Sequence, residues 1–408
     1  MPCRQPPSTS RDSLGAVPGQ RSVSRRRIGG QRGRYATSPC QEPRTDWKRT
    51  LRIGESERTL CDTGANPPAQ SAAERPGSAA APRVDAPAIS VLVVTTGDKP
   101  ELRRCLAKIR EQADPLGAEL VLVINKAETS VDSRATAELR ALCDVLAFEP
   151  RAGKSHGLNT GVSLCRGESI AFTDDDAIPQ RGWLEAITAP LLTPDRPPKR
   201  VGTGGRVTPV YPEGGPSEWY RSLVDGKATH FLGPVHDLGS EPLDYRLPDE
   251  GATGAPLGVN CAYRREIFTR YRYDPELGPN TETGLCGGED FELGWRTIRD
   301  GYTLTHVPSA HVEHPVTSNR MTWRHVRRHG YINGLEYARM MRKLGFPVYV
   351  HPHMKRRLEK RRFARFLRSL FTPTQNRLRL LDLQSTKGAL DEIERSDPLL
   401  GHESGPNS

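Results

Sequence analysis

The stretch Ser169-Ile170-Ala171-Phe172-Thr173-Asp174-Asp175-Asp176 sets an apolar run directly against three carboxylates. A run that short and that apolar reads as a strand covered on both faces, as in a parallel sheet. Three similar runs precede it: Ile89–Val94, Glu119–Ile124 and Val145–Phe148. Between them, Leu102, Leu106 and Ile109 recur at helical spacing, and Ala135–Leu142 and His156–Cys165 read as further helices. Strand and helix alternate at short spacing. That predicts right-handed βαβ units and an α/β fold built on an open, mostly parallel sheet. Ligands of such sheets bind at the carboxyl ends of the strands, where the acidic triplet sits.

Downstream the pattern loosens. Pro190–Gly258 is rich in Pro and Gly, with a strand expected over Val201–Val210. Val259–Tyr263 reads as a strand and Arg264–Tyr271 as a helix. Phe291–Asp300 reads as a helix stopped by Gly301, and Leu304–Val307 and Ala310–Val312 as two short strands. From Thr322 onward the pattern is helical and basic. Residues 1–87 are rich in Arg, Ser, Pro, Gly and Gln and poor in aliphatics, so disorder is expected there. The division is therefore a tail over 1–87, an α/β domain over 88–320, a basic helical extension over 321–395 and a disordered tail over 396–408.

The 408 residues carry a net charge of +10, spread unevenly. Residues 1–87 hold about +7 and residues 318–408 about +11, which leaves the middle near −8. An acidic middle without interleaved aromatics argues against a nucleic-acid binder. The eight cysteines form no Cys-x-x-Cys pair, so a zinc site is not indicated. Scattered through apolar runs, they read as reduced core thiols, which favours a cytoplasmic setting. No apolar run approaches the roughly 18–20 residues of a membrane span, and no secretory signal follows the N-terminal arginines. Met354–Phe371 places Met354, Leu358, Phe366, Leu367 and Leu370 on one helical face and basic residues on the other. It reads either as an interfacial helix in peripheral contact with anionic lipid or as a helix packed on the domain.

Three adjacent carboxylates repel one another. Hard divalent cations take oxygen ligands, and Mg²⁺ commonly uses one or two carboxylates plus substrate phosphates. Asp174-Asp175-Asp176 thus reads as a metal–diphosphate site or as an exposed acidic turn. Glu289-Asp290 opens a helix after Gly287-Gly288. It reads as a first-turn cap or as a general base that takes a proton from an attacking hydroxyl. His314 offers a ring nitrogen to a metal, while His311, three residues earlier, faces the other side of an extended strand. Gly153-Lys154-Ser155 lacks the spacing of a P-loop, which excludes that class of ATPase.

Taken in order, these pieces resemble the inverting family 2 glycosyltransferases of the GT-A fold, over roughly residues 89–320. Val91–Pro100 is similar to that family's first strand and nucleotide loop, with Thr95 where proline is usual. Gly153-Lys154 through Asn159-Thr160-Gly161, Arg166-Gly167-Glu168 and Phe172–Asp176 resemble its most specific run. Gly258–Glu266 resembles its acceptor-side strand, and Gly287-Gly288-Glu289-Asp290 with Trp295-Arg296 its catalytic-base motif. Where the family usually carries an aspartate and then a Gly-Ser turn, this chain has Ile124-Asn125-Lys126-Ala127-Glu128, which leaves the nucleotide base open. The resemblance implies transfer of a sugar from a nucleotide-diphosphate donor to a saccharide or lipid-linked hydroxyl acceptor. It implies catalysis by Asp290 with Glu289, and donor binding by Thr95, Asn125, Arg151, Lys154, Asn159, Asp174 and Asp175. Asn260, Gly288 and Trp295 fall on the acceptor side, and Asp176 and His314 hold Mg²⁺ or Mn²⁺. Two alternatives share the sheet: a sugar-phosphate nucleotidyltransferase, and an inactive nucleotide-sugar-binding protein. The first lacks its Gly-rich basic loop after the first strand, and intact Asp176 and Asp290 argue against the second.

Overall fold

Four strands with apolar side chains on both faces seed the sheet: β1 (Ile89–Thr95), β2 (Glu119–Ile124), β3 (Val145–Phe148) and β4 (Ser169–Asp174). They lie in the order β3-β2-β1-β4, all parallel. The computed structural model describes residues 86–225, 235–250, 253–348 and 374–396. Residues alternate across β1. Val91 and Val93 face α1 (Pro100–Ala113) and α4 (Trp183–Leu192), while Leu92 and Val94 face α3 (Lys154–Leu164). The expected stripe Leu102, Leu106 and Ile109 is fully buried on α1. A short helix α2 (Ser133–Arg140) joins β2 to β3 and is capped by the Asp132 carboxylate, which accepts from the Ala135 N–H at 2.8 Å.

Helix α3 lies unusually close to β1. A Cβ on Gly157 would stand 2.6 Å from Val94 Cγ1, and one on Gly161 2.3 Å from Leu92 Cδ1. The i, i+4 glycines make a flat strip, and that strip sets how near the N-terminus of α3 comes to the strand ends.

Beyond β4 the sheet turns antiparallel and then parallel again. It continues through β8 (Cys261–Arg264), β6 (Arg200–Val210), β9 (Thr303–Pro315) and β5 (Ile178–Pro179), with β7 (Leu243–Asp244) also on β9. The helix expected over Arg264–Tyr271 is a single 3₁₀ turn, Arg265–Thr269. The two short strands expected between Leu304 and Val312 are one strand of 13 residues with a break inside it. Val307 pairs with Gly205 and His311 with Arg206, so Pro308-Ser309-Ala310 bulges out of the ladder. Proline has no N–H to give a ladder, which is why the sequence shows an interruption there.

The remaining helices are α5 (Glu218–Asp225), α6 (Glu289–Arg299), α7 (Trp323–Lys343) and α8 (Thr374–Ser396). Helices α7 and α8 cross in close contact at two glycines. A Cβ on Gly334 would meet the Ser385 carbonyl at 1.8 Å, and one on Gly388 the Tyr331 carbonyl at 1.9 Å. Arg339 pairs with Glu392 across the same interface at 2.9 Å. Residues 1–85 and 397–408, and the amphipathic stretch 354–371, lie outside the described residues. Among the described residues no helix is long and apolar enough to cross a membrane.

The Gly161 contact is directly testable. A Cβ at 2.3 Å from Leu92 puts overpacking toward the upper end of its range, about 2–3 kcal/mol, and alanine recovers about 1 kcal/mol of helix propensity, so Gly161→Ala is expected to destabilise the fold by about 1–2 kcal/mol. Denaturant unfolding checks this; an unchanged midpoint contradicts the close approach.

Candidate active site

The carboxyl ends of β1 to β4 bring together residues far apart in sequence. Thr95 ends β1, and its hydroxyl donates to Asp175 Oδ2 at 2.5 Å. Lys99 pairs with the same carboxylate at 2.9 Å. Asp175 is therefore held against the β1–α1 loop and turned away from its two neighbours. Asn125, just past β2, donates to the carbonyls of Glu149 (3.0 Å) and Arg151 (2.7 Å), which fixes the β3–α3 loop. Arg151 is exposed and makes two bonds to Glu149, at 2.8 and 2.7 Å.

Asp174 and Asp176 flank Asp175 and meet His314 from β9. One ligand atom from each of the three lies within 4.8 Å of the others. His314 Nε2 stands 3.3 Å from Asp176 Oδ1, and its Nδ1 is buried with no hydrogen-bond partner. Burial works to raise the pKa of Asp176, but His314, Arg320 and Lys99 outweigh it and hold the carboxyl at about 2. Two carboxylate oxygens and an imidazole form a donor set that fits a divalent cation. Asp174, expected at the nucleoside, thus stands in the metal-type cluster.

Lys154 opens α3 after Gly153, whose φ of 120° falls in glycine territory. Its Nζ bonds Asp174 Oδ1 and lies 3.8 Å from Glu289 Oε1. Burial disfavours the ammonium, yet Asp174, Glu289 and Asp290 together raise its pKa, so it stays charged. The start of α3 holds a loop. Ser155 Oγ donates to the Leu277 carbonyl at 2.8 Å, and the Lys154 N–H to the Pro279 carbonyl at 2.9 Å. Asn159, expected at the donor, makes a two-way bridge to the Tyr273 backbone at 2.8 and 2.9 Å.

That loop leads through Gly288, in the left-handed region at φ 94°, into α6. Asp290 Oδ2 accepts from the Gly258 N–H and Oδ1 from its neighbour's, the Phe291 N–H, both at 2.8 Å. Glu289 is 3% exposed, and its Oε2 has no partner. Burial raises the pKa of both acids; repulsion from Asp290 adds to the rise at Glu289, and repulsion from Asp174 adds to it at both. The two backbone donors favour the ionised form of Asp290. The proton therefore rests on Glu289 first.

Between the metal-type cluster and the acid pair opens a cavity of about 680 Å³, lined by Lys154, Asp174, Gly288, Glu289, Asp290 and His314 among others. Its far wall is α7: His325, His329, Glu336 and Met340 also line it, from beyond the boundary expected at residue 320. Those positions recur at helical spacing, a signal present in the sequence but indistinguishable there from a helix merely packed on the domain. Two expected acceptor residues lie elsewhere. Asn260 is fully buried, donating to the carbonyls of Arg206 (2.9 Å) and Ala310 (2.8 Å) and accepting from Trp183 Nε1 (2.8 Å). It satisfies the carbonyls that the β9 bulge would otherwise orphan. Trp295 is 6% exposed, bonds the Gly254 carbonyl at 3.1 Å and packs α6 against Met340, Met341 and Leu344 of α7 and the turn after it. The described cysteines Cys105, Cys165 and Cys261 are buried thiols as expected, whereas Cys286 is exposed at the cavity wall.

The chain is 26% identical over 239 residues to pre-mycofactocin glycosyltransferase of Mycobacterium tuberculosis, covering 58% of this chain and 44% of that protein. It is 25% identical over 238 residues to glycosyltransferase AglE of Haloferax volcanii, covering 56% and 67%. The chain thus spans less than half the length of the mycobacterial relative. Among solved structures it is similar to the mannosyltransferase PcManGT from Pyrobaculum calidifontis in complex with GDP-Man and Mn²⁺ (TM-score 0.48, 16% identity, 77% and 89% covered). It is also similar to GalNAc-T7 with UDP, GalNAc and Mn²⁺ (TM-score 0.40, 19% identity, 67% and 54% covered). The family model described as glycosyltransferase like family 2 matches residues 86–331, more than half of the chain. The protein belongs to the family 2 glycosyltransferases and carries their GT-A fold.

Proposed function

We propose that this enzyme moves a sugar from a nucleotide-diphosphate donor to a hydroxyl acceptor, a saccharide or lipid-linked saccharide, with inversion at the anomeric carbon. Its support is the placing of two acidic groups about one half-buried lysine. The cluster Asp174, Asp176 and His314 stands at the end of β4, and Asp290 with Glu289 stands across Lys154 in the same cavity. The nucleoside belongs over the ends of β1 to β3, beside Thr95, Asn125 and Arg151. Asp174, Asp176 and His314 would hold a divalent cation, which would neutralise charge on the departing nucleoside diphosphate. Lys154 adds a fixed positive charge at the same edge.

Asp290 takes the proton of the acceptor hydroxyl as that oxygen attacks the anomeric carbon from the side opposite the leaving diphosphate. One displacement inverts the centre. Glu289, protonated and buried, keeps a second negative charge away from the base. A cytoplasmic setting with peripheral lipid contact through 354–371 is the companion proposal for a lipid-linked acceptor.

Asp290→Asn keeps the shape of the site and removes the base, so transfer is expected to fall on the order of 10²–10⁴-fold while donor affinity stays within about threefold. Because burial raises the pKa of the acid pair, wild-type kcat/KM should fall as pH drops through a limb lying above the usual aspartate range. Transfer at wild-type rate in Asp290→Asn contradicts the assignment. For the cation, His314→Ala is expected to weaken Mn²⁺ binding on the order of 10- to 100-fold, read by electron paramagnetic resonance of free Mn²⁺. Equal binding by wild type and variant contradicts the donor set.

A further inference from the structure

Helix α7 grips the loop that carries the acid pair, at three points spaced along one face. Glu336 Oε1 accepts from the backbone N–H of Cys286 and, at 2.9 Å, from that of Gly287. Arg339 donates to the Glu276 carbonyl at 3.1 Å. Lys343 pairs with Asp274 at 2.8 Å and Glu276 at 2.6 Å. The spacing 336, 339, 343 puts all three on the same side of the helix. Arg339 is itself tied to Glu392 of α8, so the gripping face is backed by the glycine-packed helix pair.

Of these contacts Glu336 is the one nearest the chemistry. The Cys286–Gly288 turn ends one residue before Glu289 and two before Asp290. Gly287 and Gly288 have no side chains to anchor it, and Cys286 is exposed. Its place must be set by backbone hydrogen bonds. On one flank Gly278 N–H reaches the Gly287 carbonyl at 3.0 Å, and Asn280 N–H the Leu285 carbonyl at 3.1 Å. The turn's own N–H groups at Cys286 and Gly287 are taken by Glu336, which is 4% exposed. Removing that acceptor leaves two half-buried donors without a protein partner, which favours the turn moving to find water. Glu336 also lies beyond residue 331, where the family match ends.

We propose that Glu336 is a positioning residue for sugar transfer: its carboxylate seats the Cys286–Gly288 turn from α7 and so fixes where Asp290 meets the acceptor. The inference rests on Asp290 being the base. Glutamine at this position keeps an acceptor oxygen in place; methionine fills the same volume and accepts almost nothing. Misplacing a catalytic group by about 1 Å costs on the order of 10²-fold in rate.

The test compares Glu336→Gln and Glu336→Met with wild type, using transfer kinetics and hydrogen exchange of the peptide spanning 284–290. Glu336→Gln is expected to stay within about threefold of wild-type kcat, while Glu336→Met loses on the order of 10- to 100-fold with donor KM within about threefold. Exchange at 284–290 should quicken in Glu336→Met alone. Wild-type kcat in Glu336→Met overturns the proposal, as does an equal loss in both variants or unchanged exchange in Glu336→Met. Should Glu336→Met not fold, wild-type exchange decides: slow exchange of the Cys286 and Gly287 amides supports the seat, and exchange at the unprotected rate overturns it. Asp290→Asn run alongside separates the two readings. Transfer surviving there sinks the base assignment, while the exchange arm still decides what Glu336 holds.

Discussion

Asp174, Glu289 and Asp290 repel one another, and all three approach a single cavity wall. The ammonium of Lys154 is the cation that lets them share it. Glu289 is buried and Asp174 and Lys154 are half-buried, so carboxylates left without a cation there would repel with little water to screen them. The position of Lys154 in turn depends on how α3 starts. Gly153 turns the chain, and Gly157 and Gly161 let the helix lie against Leu92 and Val94. The glycines therefore act on the chemistry through distance: they bring the lysine to the strand ends, and the lysine balances the carboxylates on either side.

A second constraint holds the other strand of the site. His314 comes from β9, whose ladder is interrupted by Pro308-Ser309-Ala310. Asn260 fills that interruption, and Gly205 leaves room for it, since a Cβ there would lie 2.3 Å from Asn260 Nδ2. Beyond the bulge the strand regains its register with β6, and His314 comes to face Asp176. A polar side chain expected to touch substrate thus does structural work that decides where a metal-type ligand stands.

The parallel half of the sheet was legible in the sequence, because strands covered on both faces are continuous apolar runs separated by helical stretches. The acidic triplet, Lys154 and the Glu289-Asp290 pair were legible for a related reason: clustered charge beside an apolar strand or a Gly-Gly turn is costly unless something uses it. Asn159 and Asn260 bond backbone groups that the sequence does not disclose. An amide that satisfies buried backbone and an amide that awaits a ligand are the same letter in a sequence, and only the partner distinguishes them. Glu336 was not visible at all. Its contacts with Cys286 and Gly287 join segments some fifty residues apart, and its helix reads by pattern as a basic extension.

Whether these groups together activate a nucleotide-diphosphate sugar with the help of a divalent cation is decided by incubating the full chain with a panel of uridine, guanosine and thymidine diphosphate sugars and measuring nucleoside diphosphate release, with Mn²⁺ or Mg²⁺ present and with both chelated. Release from at least one donor, dependent on added metal, is the expected outcome. Release that is indifferent to chelation, or no release and no binding across the panel, overturns it.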